Sequence, residues 1–234
     1  MALKRNRAKE GRKRIYLLAG FAVMLILAGM ALIYTGFRLQ WQEKKVQGHL
    51  LNLYKEQVAL GISPLPELPG EEPGADLSLP LPEDLVELPS DVEDPESLFD
   101  MSKLRPLGVL TIPRIKLEVV MVEGITPADL RFSVGHFPGT GLPGEKGNFA
   151  LAGHRTFVSG QFFRRLDELE VGDRMEVEYG GKAYVYRVTQ SLVVNPGDTW
   201  VLDPSKEATI TLVTCTPPHS TAYRLIVRGI LEDA

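Results

Sequence analysis

Between Arg174 and Tyr179 every second side chain is apolar, with Met175, Val177 and Tyr179 alternating with charged residues. That is the period of a strand with one face in a core and the other in water. Gly180-Gly181 follows as a two-residue hairpin turn and leads into Lys182–Val194, whose length and tyrosines predict a long strand with a bend. Short β-branched runs at Leu107–Ile112 and Leu117–Val122, separated by Pro113-Arg-Ile-Lys, predict two more strands. Phe149–His154, Thr209–Cys215 and Tyr223–Leu231 bring the count to about eight, at intervals typical of barrels. Only Gln161–Leu169 has helical spacing, with Phe162, Leu166 and Leu169 on one face; it predicts a short crossover helix whose aromatic stripe belongs to the core. The expectation is an all-β domain over residues 103–234, and about 130 residues suffice for one core of ordinary size.

The N-terminal third has a different pattern. Lys4, Arg5, Arg7, Lys9, Arg12, Lys13 and Arg14 make residues 1–14 a basic tail, followed by an uncharged run from Ile15 to Phe37. At about 1.5 Å per residue this run crosses a hydrocarbon core of about 30 Å. A cleaved signal peptide is the competing reading, but its apolar region is usually about 7–15 residues, and no small-x-small exit precedes Arg38. The expectation is a retained transmembrane helix over 15–37, with the basic end cytoplasmic, the bulk of the chain outside, and Trp41 as an interfacial anchor. Residues 38–60 carry helix formers with apolar positions at Val46, Leu50, Leu53 and Val58, an amphipathic continuation of the anchor. Residues 61–102 are acidic and rich in proline, with neither lysine nor arginine before Asp100. Such a segment lacks the apolar surface that would offset its ordering entropy and reads as an extended spacer, or as an interaction tail for a basic partner.

Charge narrows the function classes. The formal net charge of −4 comes from the spacer, and residues 103–234 are nearly balanced, with no basic face that would argue for nucleic acid. No acidic cluster of the calcium-binding kind stands beside the strands, so neither a metal nor another cofactor is expected. Calcium should leave any activity unchanged.

The candidate chemistry centres on Cys215, the one cysteine of the chain. It closes the run Thr209-Ile-Thr-Leu-Val-Thr-Cys215, and the short loop Thr216–Tyr223 makes Arg224–Val227 its antiparallel neighbour. If that hairpin is symmetric about its loop, Cys215 faces Arg224, with Cβ atoms about 4.5–5.5 Å apart. A thiol and a fixed cation are two parts of a covalent catalytic site. The third is a base, and the histidines are His49, His136, His154 and His219. His154 ends the apolar run Asn148-Phe-Ala-Leu-Ala-Gly-His154, where Gly153 permits close approach; His219 lies in the loop after Cys215 and is the second candidate. His136 sits in a turn-rich stretch with no strand to fix it, and His49 lies near the membrane. Taken singly these residues have ordinary explanations: an inert core thiol, a solvated strand-end arginine, a hydrogen-bonded structural histidine.

The stretch Ser133-Val-Gly-His-Phe-Pro-Gly-Thr-Gly-Leu-Pro-Gly-Glu-Lys-Gly-Asn-Phe-Ala-Leu-Ala-Gly-His-Arg155, then Thr211-Leu-Val-Thr-Cys215 and Arg224-Leu-Ile-Val-Arg228, resembles the sortase family of Gram-positive bacteria over roughly residues 105–231. The resemblance implies a closed eight-stranded β-barrel of sortase type. It implies a transpeptidase that cuts a Leu-Pro-x-Thr-Gly-type sorting motif and joins the threonine carbonyl to an amine. His154, Cys215 and Arg224 are then the catalytic residues, and Thr214, Ala152 and Trp200 the substrate-binding ones, although a packed tryptophan is the more ordinary reading of Trp200. The implied partners are secreted proteins bearing the motif and an amine acceptor on a peptidoglycan precursor or a pilin. In some sortases the region before the barrel folds over the site as a lid with an Asp-Pro-aromatic motif; here Asp94-Pro95 is followed by Glu96, with Phe99 further on. Short loops and a single N-terminal anchor resemble class D or E, which favours attachment of proteins to the cell wall over pilin polymerisation.

A free thiol with an ordinary pKa of about 8.5 is only a few per cent ionised at neutral pH, so histidine must supply the activation. Either an imidazolium–thiolate pair forms, or a minority of molecules in the right protonation state carries the flux. Attack on the substrate carbonyl creates an oxyanion, for which Arg224 and a backbone N–H near Cys215 are candidate donors. Two other classes share parts of this pattern: a thiol hydrolase that releases an acid, and a membrane-tethered binding module that needs no thiol.

Overall fold

The computed structural model describes residues 2–62, 104–155 and 162–232. The lid motif at Asp94-Pro95 and most of the predicted spacer lie outside the described residues. One helix, α1, runs Ala2–Ala59, and residues 1–42 and 43–234 form separate compact units. Among the described residues no helix is long and apolar enough to cross a membrane. The side chains of residues 15–19 and 35–37, both ends of the predicted span, are outside that description.

Eight strands follow: β1 Pro106–Ile112, β2 Leu117–Glu123, β3 Val134–His136, β4 Gly147–Ala152, β5 Arg174–Tyr179, β6 Lys182–Val194, β7 Ala208–Thr216 and β8 Tyr223–Leu231. They close a barrel in the order β1-β2-β3-β4-β7-β8-β6-β5, with β5 pairing back onto β1. The expected fold class holds in its barrel. The β5–β6 hairpin turns at Gly180-Gly181, with φ of 56° and 74° at the two glycines, the left-handed geometry that a tight hairpin requires. The expected bend in β6 is a register shift between Val188 and Gln190, as a bulge produces.

Two expectations are corrected. His136 is not adrift in turns: it ends β3, the strand that the sequence pattern did not show, and pairs in register with Glu123 of β2. Its Nδ1 lies 2.6 Å from Glu123 Oε2, and both side chains are buried. Its Nε2 meets the Gly141 carbonyl and the Thr140 hydroxyl, and that hydroxyl already donates to the Phe137 carbonyl. A carbonyl can only accept, so Nε2 donates to Gly141. The predicted crossover helix over Gln161–Leu169 is instead a set of turns ending in a 3-10 segment at Leu166–Glu168. Its buried stripe is Phe163, Leu166 and Leu169, a spacing of three, and Arg165 pairs with Glu168 at the same spacing, as eclipsed 3-10 side chains do.

A six-residue helix that the pattern missed, α2 at Pro127–Phe132, is started by a reciprocal capping box between Thr126 and Asp129. The barrel interior is filled by residues such as Leu110, Met121, Phe149, Leu151, Met175, Tyr186, Ile210 and Leu212. Outside it are two further apolar layers. Val46, Leu50 and Tyr54 of α1 cover Val109, Val120 and Val122 on β1 and β2, and Gln47 Oε1 accepts from the Val120 N–H at 2.8 Å. Residues 43–59 thus belong to the barrel unit, and so does Leu104. The second layer packs Leu130, Phe137, Val201 and Leu202 over the outer faces of β4, β7 and β8. It buries β4 along its whole length and contains Cys215.

Candidate active site

Strand register assembles the site. β7 lies between β4, parallel to it, and β8, antiparallel to it. On the β8 side Cys215 and Arg224 are direct partners, the pairing that a symmetric hairpin implied. On the β4 side the ladder's last pair is Ala152 with Val213, and the Gly153 N–H continues it by donating to the Val213 carbonyl at 3.1 Å. Thr214 Oγ1 then donates to the Gly153 carbonyl at 2.7 Å, and Arg155 Nη1 donates to Thr216 Oγ1 at 2.8 Å. These bonds carry the same register past the ladder's end and bring His154 level with Cys215, one strand spacing of about 4.8 Å away. By strand alternation His154, Cys215 and Arg224 follow Ala152, Val213 and Ile226, which share the outer apolar layer. The three side chains therefore meet on one face of three adjacent strands.

Local packing fixes each member. The Phe163 N–H donates to the His154 carbonyl at 3.1 Å. A Cβ at Gly153 would fall 2.6 Å from the Phe163 ring, so only glycine lets that ring brace the segment beneath the histidine. Arg224 Nη1 donates to the carbonyls of Thr221 and Tyr223 at 2.7 and 3.2 Å, which ties the guanidinium to its own hairpin loop. Its Nε is buried and has no hydrogen-bond partner among the described residues. A buried N–H of that kind, opposite the thiol, is a donor available to an oxyanion.

Burial sets the electrostatics. The free Cys215 is 5% exposed, His154 5% and Arg224 2%. Burial pushes the thiol up from its ordinary value, and the positive charge on Arg224 pulls it back only in part. Burial lowers His154 from 6.5 to about 4. Burial thus favours the neutral thiol and the neutral imidazole at pH 7. Burial disfavours the charged form of each group, so the imidazolium–thiolate pair is the minority state. Of the two activation schemes open at the sequence level, this geometry favours the minority state.

The remaining predicted residues are placed differently. Thr214 and Ala152 have no exposed surface; Thr214 is spent on the Gly153 carbonyl, and Ala152 floors the outer layer beside Cys215. Trp200 lies in a 3-10 turn at Thr199–Leu202, half exposed, with the Arg228 guanidinium 5.3 Å from its ring. Arg228 is four residues along β8 from Arg224, about 13 Å at strand rise, so Trp200 stands down the groove and not beside the sulfur. His219 is exposed in the loop after β7, at φ 62°, and His49 is exposed on α1. Arg155, which sequence reasoning passed over, is 4% exposed and bridges Thr216 to Asp167; its only signal was its place directly after His154. Among the described residues no cluster of metal-ligating side chains occurs.

A family model described as the sortase domain matches residues 110–232. The chain is 39% identical over 142 residues to Sortase SrtE1 of Streptomyces coelicolor, covering 54% of this chain and 40% of that protein. It is 38% identical over 112 residues to Sortase D of Bacillus subtilis, covering 47% and 54%. The chain thus spans about half the length of these curated relatives. Among solved structures it resembles a Clostridium perfringens Sortase D5 transpeptidase, with a TM-score of 0.57 at 26% identity over 81% of this chain and 99% of that one.

Proposed function

The chain belongs to the sortase family, and from that premise we propose that it is a membrane-anchored cysteine transpeptidase. It cleaves a Leu-Pro-x-Thr-Gly-type sorting motif and transfers the acyl part to an amine, attaching secreted proteins to the cell wall. The observation that carries this reading is the register that sets His154, Cys215 and Arg224 side by side on β4, β7 and β8.

In the reaction Cys215 Sγ bonds to the threonine carbonyl carbon while its proton passes to His154. Arg224 donates to the resulting oxyanion. The intermediate collapses as His154 returns the proton to the leaving glycine amine, and a thioester remains on Cys215. An incoming amine attacks the thioester and gives a proton to His154. The sulfur leaves, is reprotonated, and one amide has replaced another. Cys215 is buried in an apolar layer with Leu130, Phe137, Val201 and Leu202, which limits the water that would otherwise hydrolyse the thioester.

The anchor reading rests on the first unit. Met24, Leu25, Ile26 and Leu27 are consecutive on α1 and all more than half exposed, as are Phe21 and Met30. Apolar side chains on every side of a helix suit a lipid environment, and the basic residues ahead of Ile15 favour an orientation with that end in the cytoplasm and the barrel outside.

The test is to incubate the full chain in detergent with a Leu-Pro-x-Thr-Gly peptide library, with and without added amine, and to follow products by mass spectrometry. An amine-joined product ending at threonine, absent in Cys215→Ala, supports the reading. Free acid alone, whatever amine is present, shows a hydrolase, and no cleavage across the library shows a binding module.

A further inference from the structure

A cavity of about 380 Å³ adjoins the catalytic strands. One wall is Arg155, the residue after His154; another is the loop at Pro218 and His219, just beyond Cys215. Arg164, Arg165, Asp167 and Glu168 complete it. Pro218 apart, the lining is polar or charged, which suits it poorly to the leucine and proline of a sorting motif.

The charges do not cancel. Arg155 pairs with Asp167 at 2.8 Å, and Arg165 with Glu168 through two hydrogen bonds of 2.7 and 2.6 Å. Arg164 makes no ion pair or hydrogen bond among the described residues, which leaves one net positive charge on the wall. Arg155 adds an unused donor: it is 4% exposed, yet its Nε is buried with no hydrogen-bond partner among the described residues. A buried guanidinium N–H without an acceptor, beside an uncompensated guanidinium, is the donor set that a carboxylate fills.

Its position decides which substrate brings that carboxylate. The leaving amine and the incoming amine exchange protons with the same imidazole, so by microscopic reversibility both occupy the His154 side of the sulfur. The cavity begins at Arg155, on that side. We infer that this cavity binds a carboxylate carried by the amine acceptor next to its amine, with Arg164 and Arg155 as its cationic partners. The enzyme then prefers acceptors that are amino acids or end in a free amino-acid carboxylate over plain amines of the same length. This rests on the transpeptidase reading for its role, but not for its detection.

L-Lysine and 1,5-diaminopentane, its decarboxylated twin, are the probes. With the full chain in detergent and one donor peptide, the ratio of lysine to diaminopentane transfer is measured on each enzyme, so differences in overall activity cancel. The expected ratio in the natural sequence is about tenfold, falling to near one in Arg164→Gln and below one in Arg164→Glu. A ratio near one in the natural sequence, or a preference that survives both exposed-site substitutions, overturns the inference. If no transfer occurs with any amine, the transpeptidase reading has failed, and the cavity is read alone by saturation-transfer NMR on the Cys215→Ala chain. Lysine contact that Arg164→Glu abolishes, with none for diaminopentane, then supports the site; equal signals for both probes overturn it.

Discussion

Cys215 of β7 and Arg224 of β8 are direct cross-strand partners, and Arg224 is the charge that moderates the effect of burial on the thiol. Replacing Arg224 by methionine removes both that charge and the buried Nε donor. The expected result is a fall in kcat of about 10²- to 10³-fold, the scale for loss of one oxyanion donor. The pH at which iodoacetamide alkylates Cys215 should also rise. Arg224→Lys should recover the alkylation profile better than kcat, because an ammonium cannot reproduce the guanidinium's tie to the Thr221 and Tyr223 carbonyls. An unchanged kcat in Arg224→Met would remove the arginine from the mechanism.

His154 makes stability depend on pH. Its folded value, about 4, lies below its ordinary 6.5, so between these limits the unfolded chain binds more protons than the folded one. The stabilisation is fully present above pH 6.5 and is lost as pH falls toward 4, by about 3 kcal/mol in all. Urea unfolding of the full chain at pH 7 and pH 4.5 should show a smaller acid loss in His154→Gln than in the natural sequence. Equal losses in the two would show that the imidazole is not held neutral.

The hydrogen bond of Thr214 gives it a positioning role to test. Its hydroxyl holds the Gly153 carbonyl, one residue before His154, so Thr214→Val should lower kcat about tenfold with little change in KM, and Thr214→Ser should restore it. A rise in KM with kcat intact would instead make Thr214 a substrate contact.

Residues 43–59 are structural parts of the catalytic unit. Leu50 has no exposed surface and lies against β1 and β2, so Leu50→Ala should destabilise the chain by about 2–5 kcal/mol. A chain beginning at Met101 should bind a hydrophobic dye through the uncovered Val109, Val120 and Val122. Thermal unfolding and dye fluorescence check both, and unaltered stability on removal of α1 would contradict the packing.

Local signals made the hairpin carrying Cys215 and Arg224 legible, because two β-branched runs and a short loop fix a register without the rest of the fold. The strand at Val134–His136 was not legible, since three residues with a glycine in the middle carry no measurable period. Phe162, Leu166 and Leu169 suggested an α-helix, but Phe163, Leu166 and Leu169 are the buried set, and a spacing of three over so short a stretch belongs to a 3-10 turn. The α2 cap lies in Thr126-Pro-Ala-Asp129, where an aspartate stands in place of the usual Glu or Gln of a capping box and blurs its signature. His154 was chosen from its glycine and its strand, but its place beside the thiol depends on parallel pairing of β4 with β7, a long-range contact that no local pattern encodes. For the same reason Arg155 and the charged cavity next to it could not be read from spacing.

The central claim is a covalent acyl group on Cys215. The full chain is mixed with a Leu-Pro-x-Thr-Gly-type peptide that it cleaves, quenched in acid within the first turnover, and measured by intact mass and peptide mapping. The predicted result is a mass increase equal to the peptide acid ending at threonine less one water, located on Cys215, released by hydroxylamine and absent in Cys215→Ala. Cleavage that proceeds with no acyl-enzyme at any time point, and persists in Cys215→Ala, would contradict the account.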